Sequence, residues 1–256
     1  QAALDGQDAG WKDSMNDNNV MIVTIARSAS ENGSYNPGTA GVDPTQNLNQ
    51  TDPLGLSDDE RDLINAAVTA KAANGGKVIV LLNNASAMEV QEIEDNDGVD
   101  AILQVGLPGG YGFYGVADIL SGAVSPSGHL TDTYATDSLS SPAAVNSGTR
   151  TPQFANVAEI NATIGEDENA EYMSFQAEGI YIGYRYYETR YADAVMGQGN
   201  ATAPVGALEG ASSWNYADEV QYPFGYGLSY TTFDQKLDSV DVGEDEITAK
   251  VTVTNT

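Results

Sequence analysis

The chain has 256 residues, enough for one large α/β domain or two small ones, and its 41% apolar content supplies a core. Thirty-seven acidic residues against 10 basic ones leave a formal charge of -27, a surface that repels nucleic acid and anionic lipid but not a neutral ligand such as a sugar. The absence of cysteine removes disulfides, thiolate metal sites and cysteine catalysis, and a single histidine, His129, excludes a histidine metal cluster.

No run of eighteen apolar residues marks a membrane span. The chain opens at Gln1 without a basic or apolar leader, as expected of a mature or excised piece. The acids are spread along the whole length, the pattern of a solubilising surface.

Val20–Ala26, VMIVTIA, is a continuous β-branched run and predicts a strand buried on both faces. The polar stretch that follows, residues 27–53, is too long for a simple connection and predicts a functional or mobile loop. Ser57-Asp-Asp-Glu60 is a capping box, and Leu63, Ile64, Ala67 and Val68 form the apolar stripe of the helix it opens. Asn74-Gly75-Gly76 ends that helix. Lys77–Leu82 predicts a second buried strand, Ala87–Glu94 a short helix, Ala101–Val105 a third strand, Tyr114–Leu120 a helix and His129–Tyr134 a fourth strand.

Strands alternating with helices predict a doubly wound, mostly parallel, flavodoxin-like α/β sandwich, whose ligands sit beyond the carboxyl ends of the strands. The loop from Arg27 is in that place. Gly179–Tyr187 and Tyr222–Phe233 are rich in aromatics and glycine, as in core or hairpin packing. Ile247–Thr254 alternates with period two and predicts the first strand of a new β domain. The expected organisation is an α/β domain over residues 1–233 and the start of a β domain over 234–256.

Gly110-x-Gly112-x-x-Gly115 fits a dinucleotide fingerprint, yet it follows the third strand instead of the first, and Phe113 and Tyr114 crowd the phosphate position. It is read as a strand-to-helix turn. His129, between Gly128 and Leu130, is read as structural. Asn83 and Asn84, ending the second strand beside the Arg27 loop, are placed to bond a sugar or to cap the next helix.

Four segments in order resemble glycoside hydrolase family 3. They are Ala26-Arg27-Ser-Ala-Ser-Glu31-Asn-Gly33; Leu107-Pro-Gly-Gly110 with Ala117-Asp-Ile-Leu-Ser-Gly122 and Ser125-Pro-Ser-Gly-His-Leu130; Glu178–Tyr187; and Tyr222–Phe233. The stretch from Asp132 through Ala143 is similar to a bacterial branch in which this domain precedes the barrel. The resemblance implies a retaining β-glycosidase, most often a β-glucosidase, working with two carboxyl groups and no cofactor or metal. It implies a nucleophile on a barrel domain of the same parent protein, a carbohydrate substrate, and a fibronectin type III-like identity for the final strand. It puts the acid/base at Glu31. A fragment of this kind is expected to be inactive without its barrel.

Gly33 allows a ligand to approach the Glu31 loop closely. The family often has Asp three residues after this Glu; here the position is Ser34. Arg27 is implicated with it, as a contact for a sugar hydroxyl, as a group that positions the loop, or as a structural ion pair. A domain that only binds carbohydrate, or only supports the parent's architecture, is the other reading of the same sequence.

Overall fold

A computed structural model describes residues 10–27, 52, 54–142, 159, 162–163, 178–198 and 214–256. The chain forms two compact units, Gln1–Leu107 with Thr131–Phe224, and Pro108–Leu130 with Gly225–Thr256.

The first unit is built on a parallel sheet of β1 (Val20–Ala26), β2 (Lys77–Asn83) and β3 (Ala101–Gln104), in that order. β1 runs in register with β2 from Val20 opposite Lys77 to Ala26 opposite Asn83. Helix α1 (Gly10–Ser14) and a 3₁₀ turn, Met15–Asp17, precede the sheet. Helix α2 (Asp58–Ala72) connects β1 to β2 and packs on both. Short α3 (Gln91–Glu94) connects β2 to β3.

The centre of the sheet is β2, with Val78, Val80, Leu81 and Leu82 all buried. Burying each such side chain contributes about 1.5–3 kcal/mol, more than the ~1 kcal/mol of a helix cap, so apolar packing holds α2 to the sheet. β1 is buried on one face only among the described residues: Val23 and Ile25 point inward, while Val20 is 47% and Ile22 45% exposed. The two-sided burial expected from its continuous apolar run is therefore not met, because the described helix of this layer, α2, packs on one side.

The capping box forms as written in the sequence. Ser57 Oγ accepts from the Glu60 amide, and Glu60 Oε2 accepts from the Ser57 amide at 2.8 Å. The buried line of α2 is Glu60, Ile64, Ala67 and Lys71, so it has a charge at each end. Lys71 Nζ donates to the carbonyls of Met15 and Asn18, satisfying the end of the 3₁₀ turn. Gly76 is required where the chain turns into β2: a Cβ there would lie 2.6 Å from Lys71 Cδ and 2.7 Å from the Asn19 oxygen.

Two expectations change in the second half of this unit. The fourth strand shrinks to β4 (Tyr134–Ala135) and pairs antiparallel with β5 (Val220–Tyr222), outside the parallel sheet. Asp132 is the reason: its Oδ1 takes the amides of Thr133 and Tyr184, turning the chain just before Tyr134. The aromatic segment ending at Tyr187 is a helix start, α5 (Tyr184–Ala194). Gly183 at its entry has φ 54°, and a Cβ would stand 3.1 Å from Asp132 Oδ1. Tyr187 then packs with Ala135 and Val220, and Tyr216 of the one-turn helix α6 (Tyr216–Glu219) covers them.

The second unit holds α4 (Gly109–Leu120) and an antiparallel hairpin of β6 (Phe233–Val242) and β7 (Ile247–Asn255). The strand foreseen near residue 247 is thus the second of a pair. β6, FDQKLDSVDV, hides its pattern because a bulge between Leu237 and Ser239 interrupts the alternation. Beside α4, the Leu130 amide donates to the Tyr226 oxygen and the Gly225 amide to the Leu130 oxygen. A Cβ at Gly227 would stand 3.1 Å from His129 Cδ2. Among the described residues, no helix is long and apolar enough to cross a membrane.

Candidate active site

The carboxyl ends of β1 and β2 carry the residues singled out in the sequence. Arg27 continues the β1 ladder, its amide donating to the Asn83 oxygen at 3.2 Å. Its side chain meets α2. Nε donates to Glu60 Oε1 at 3.0 Å and Nη2 to Glu60 Oε2 at 2.6 Å, with both side chains nearly sealed from solvent at 2% and 1% exposure. Nη2 also donates to the Gly55 oxygen at 2.7 Å. This two-pronged contact is the geometry in which a guanidinium–carboxylate pair is strongest. The capping residue of α2 is thus also the counter-ion of the residue that ends β1.

Glu31 lies outside the described residues, four positions beyond Arg27. Asn83 donates to the Gly106 oxygen at 2.6 Å and so ties the ends of β2 and β3. Asn84 is buried, its Nδ2 against Met88 Sδ at 3.1 Å and its backbone oxygen accepting from Gln104 Nε2. Neither asparagine caps α3, whose N-cap is Val90. In the second unit, Gly110, Gly112 and Gly115 lie inside α4, with the Gly112 amide donating to the Pro108 oxygen at 3.1 Å, so the three glycines belong to a helix and not to a loop.

The structure adds a group that sequence reasoning missed. Asp52, Glu89 and Asp137 bring carboxylate oxygens within 4.8 Å of one another, all half-buried. Asp52 Oδ1 accepts from the Leu54 amide at 2.9 Å and from Ser138 Oγ at 3.0 Å. Glu89 Oε1 accepts from the Ser138 amide at 2.7 Å, and Asp137 Oδ1 from the Leu139 amide at 2.8 Å. Burial pushes Glu89 up to about 8; its hydrogen bond with Asp52 adds to this, as do the charges of Asp52 and Asp137, against the pull of the Ser138 amide. These acids stand 37 and 48 residues apart, too far for any spacing signal. The one local hint is Glu89 placed between two buried apolar residues, Met88 and Val90.

The chain matches the family model described as "Glycosyl hydrolase family 3 C-terminal domain" over residues 5–230. It is 32% identical over 197 residues to beta-glucosidase A of Butyrivibrio fibrisolvens, covering 71% of this chain and 19% of that protein. It is 31% identical to an exo-alpha-(1->6)-L-arabinopyranosidase of Bifidobacterium longum over 186 residues, 72% of this chain and 18% of the relative. The structure of beta-glucosidase 3B from Thermotoga neapolitana superposes with a TM-score of 0.61 at 30% identity, over 96% of this chain and 26% of that one. The chain therefore spans about a fifth of the length of the curated relatives it matches.

Proposed function

Since this chain belongs to glycosyl hydrolase family 3 and is a C-terminal domain of that family, we propose that it supplies the acid/base loop of a retaining β-glycosidase, acting on β-glucosides, with Glu31 as the acid/base. The nucleophile in this reading is on a barrel domain of the parent protein, and the chain by itself does not turn over. The barrel and the carbohydrate are its partners, and the hairpin of β6 and β7 belongs to a fibronectin type III-like domain.

One observation carries the proposal: the buried Arg27–Glu60 pair at the carboxyl end of β1. Ligands of parallel sheets lie beyond those strand ends. A fixed ion pair there holds the root of the segment on which Glu31 sits. Arg27 serves the substrate site from this position. Among the relatives, one is named for a glucoside and another for an arabinopyranoside; the glucoside is the sugar proposed here.

The test is Glu31→Ala in a protein carrying this domain with its barrel. A general acid matters most for poor leaving groups, so alkyl and disaccharide substrates slow by about 10²–10⁴-fold. Nitrophenyl glucosides still form the glycosyl-enzyme and then stall, since the same residue activates water in the second step. Azide restores turnover and leaves a β-glycosyl azide. Equal slowing of all substrates, with no burst and no azide effect, removes Glu31 from the role and favours a non-catalytic, carbohydrate-binding or architectural domain.

A further inference from the structure

Helix α2 passes into β2 through Ala73, Asn74, Gly75 and Gly76, and Asn74 and Gly75 are exposed. The amides of Asn74 and Gly76 both donate to the Lys71 oxygen, at 3.1 and 3.2 Å, so the turn is held on each side of Gly75. Gly75 itself has φ 69°, and a Cβ placed there would meet nothing within 4 Å. Among the described residues the Gly75 amide donates to no partner. The Gly76 amide also donates to Asn74 Oδ1 at 3.1 Å. This is the bond of a short polar side chain to the backbone two residues ahead. It folds the Asn74 carboxamide forward over the peptide bond it shares with Gly75.

Asparagine is one of the thermolabile residues, and three requirements of its breakdown meet in this turn. The carboxamide carbon is held on the side of the next backbone nitrogen. That nitrogen is engaged in no hydrogen bond and is shielded by no Cβ, because the residue is glycine. An N–H, that of Gly76, already points at the oxygen that becomes negative when the nitrogen adds to the carbon, and a backbone amide so placed stabilises a developing oxyanion.

We propose that Asn74 is a modification site, deamidated by its own backbone in the folded chain. Base takes the Gly75 amide proton, and the nitrogen forms a bond to Asn74 Cγ. The bond from Cγ to Nδ2 breaks, and Nδ2 takes up a proton and leaves as ammonia. The product is a five-membered imide. Water opens the ring at Cγ to give aspartate, or at the main-chain carbonyl to give isoaspartate, whose backbone is longer by one methylene. Water is the only co-reactant, and nothing is oxidised or reduced. The place of the turn gives the change a consequence. Gly76 fits where a Cβ would lie 2.6 Å from Lys71 Cδ and 2.7 Å from the Asn19 oxygen, and the Lys77 amide donates to that same oxygen at 2.8 Å. Lys71 in turn holds the carbonyls of Met15 and Asn18. An extra methylene at residue 74 displaces Gly76 and loosens the joint of the 3₁₀ turn, α2 and β2. Aspartate keeps an acceptor for the Gly76 amide and adds only a charge.

The experiment holds the 256-residue chain in native buffer between pH 7 and 9 and samples it by peptide mapping, beside a synthetic peptide of residues 70–80. Mapping separates Asn74 from the other Asn-Gly pair, Asn32–Gly33, which lies outside the described residues. The expected result is a gain of one mass unit at Asn74, at least as fast in the folded chain as in the peptide and rising in proportion to hydroxide. An isoaspartate-specific methyltransferase labels the product. Gly75→Ala places a methyl group beside the nitrogen and slows the gain, and Asn74→Gln, whose ring would have six members, removes it; circular dichroism confirms that each variant is folded. The isoaspartate form, separated by anion exchange, shows faster amide exchange at Lys77, and Asn74→Asp does not. An Asn74 still intact in the folded chain when the peptide has reacted by half overturns the proposal, as does a folded Gly75→Ala variant that reacts at the parent rate. Unchanged exchange at Lys77 in the isoaspartate form overturns the loosening. None of these outcomes depends on the role of Glu31.

Discussion

Replacing Arg27 by Met tests whether the pair at the end of β1 is a desolvated ion pair. Both partners are nearly sealed from water, so the substitution strands a carboxylate that, among the described residues, has lost two of its three donors and keeps the Ser57 amide. Removing one partner of a buried pair costs about 3–5 kcal/mol. At about 2–4 °C per kcal/mol for a chain of this size, the midpoint falls by about 6–20 °C. Arg27→Met with Glu60→Met removes both charges and leaves two apolar side chains of similar length. It also sacrifices the capping box, costing about 1 kcal/mol, so the double variant should lie within a few degrees of the parent. Thermal and urea unfolding followed by circular dichroism give the four corners of the double-mutant cycle. A single variant within about 1 kcal/mol of the parent, or a double variant worse than Arg27→Met, refutes the reasoning.

The raised proton affinity of Glu89 carries a definite sign. The folded state holds a proton that the unfolded chain releases, so this group's contribution to stability falls as pH rises from about 4.5 to about 8 and is flat beyond. One proton limits the slope to about 1.4 kcal/mol per pH unit, and solvent at this half-buried side chain keeps it below that limit; urea midpoints for Glu89→Gln minus wild type should show the slope removed. Gly183→Ala forces a side chain to φ 54° against Asp132 Oδ1 and should cost about 1–3 kcal/mol, seen as a lower thermal midpoint; an unchanged midpoint contradicts the turn described here. Lys71→Met leaves the Met15 and Asn18 carbonyls without their ammonium and should cost about 1.5–3 kcal/mol, with amide exchange rising first around residues 15–19. The chain alone should show no burst and no turnover with an aryl β-glucoside, and steady release of nitrophenol by the pure chain counters the assignment of the nucleophile to a barrel.

What sequence alone determined here is whatever is written within a few residues. The capping box at Ser57 and Glu60, the stop at Gly75–Gly76 and the apolar β2 are local patterns, and each formed where it was read. The family was legible for a related reason: its signature turns are short runs in a set order, and the match covers residues 5–230. Longer-range questions went the other way. The buried face of β1 depended on α2 packing against it, and the short β4 and the helix at Tyr184 depended on Asp132 meeting Gly183 and Tyr184 across about fifty residues. The role of Arg27 was open among three possibilities because nothing near it in sequence names Glu60 as its partner, 33 residues on. The Asp52–Glu89–Asp137 group was invisible for the same reason. A chain with 37 acids offers no clue to which three will meet; only folding brings them within 4.8 Å and withdraws water from Glu89, whose carboxyl burial pushes up to about 8.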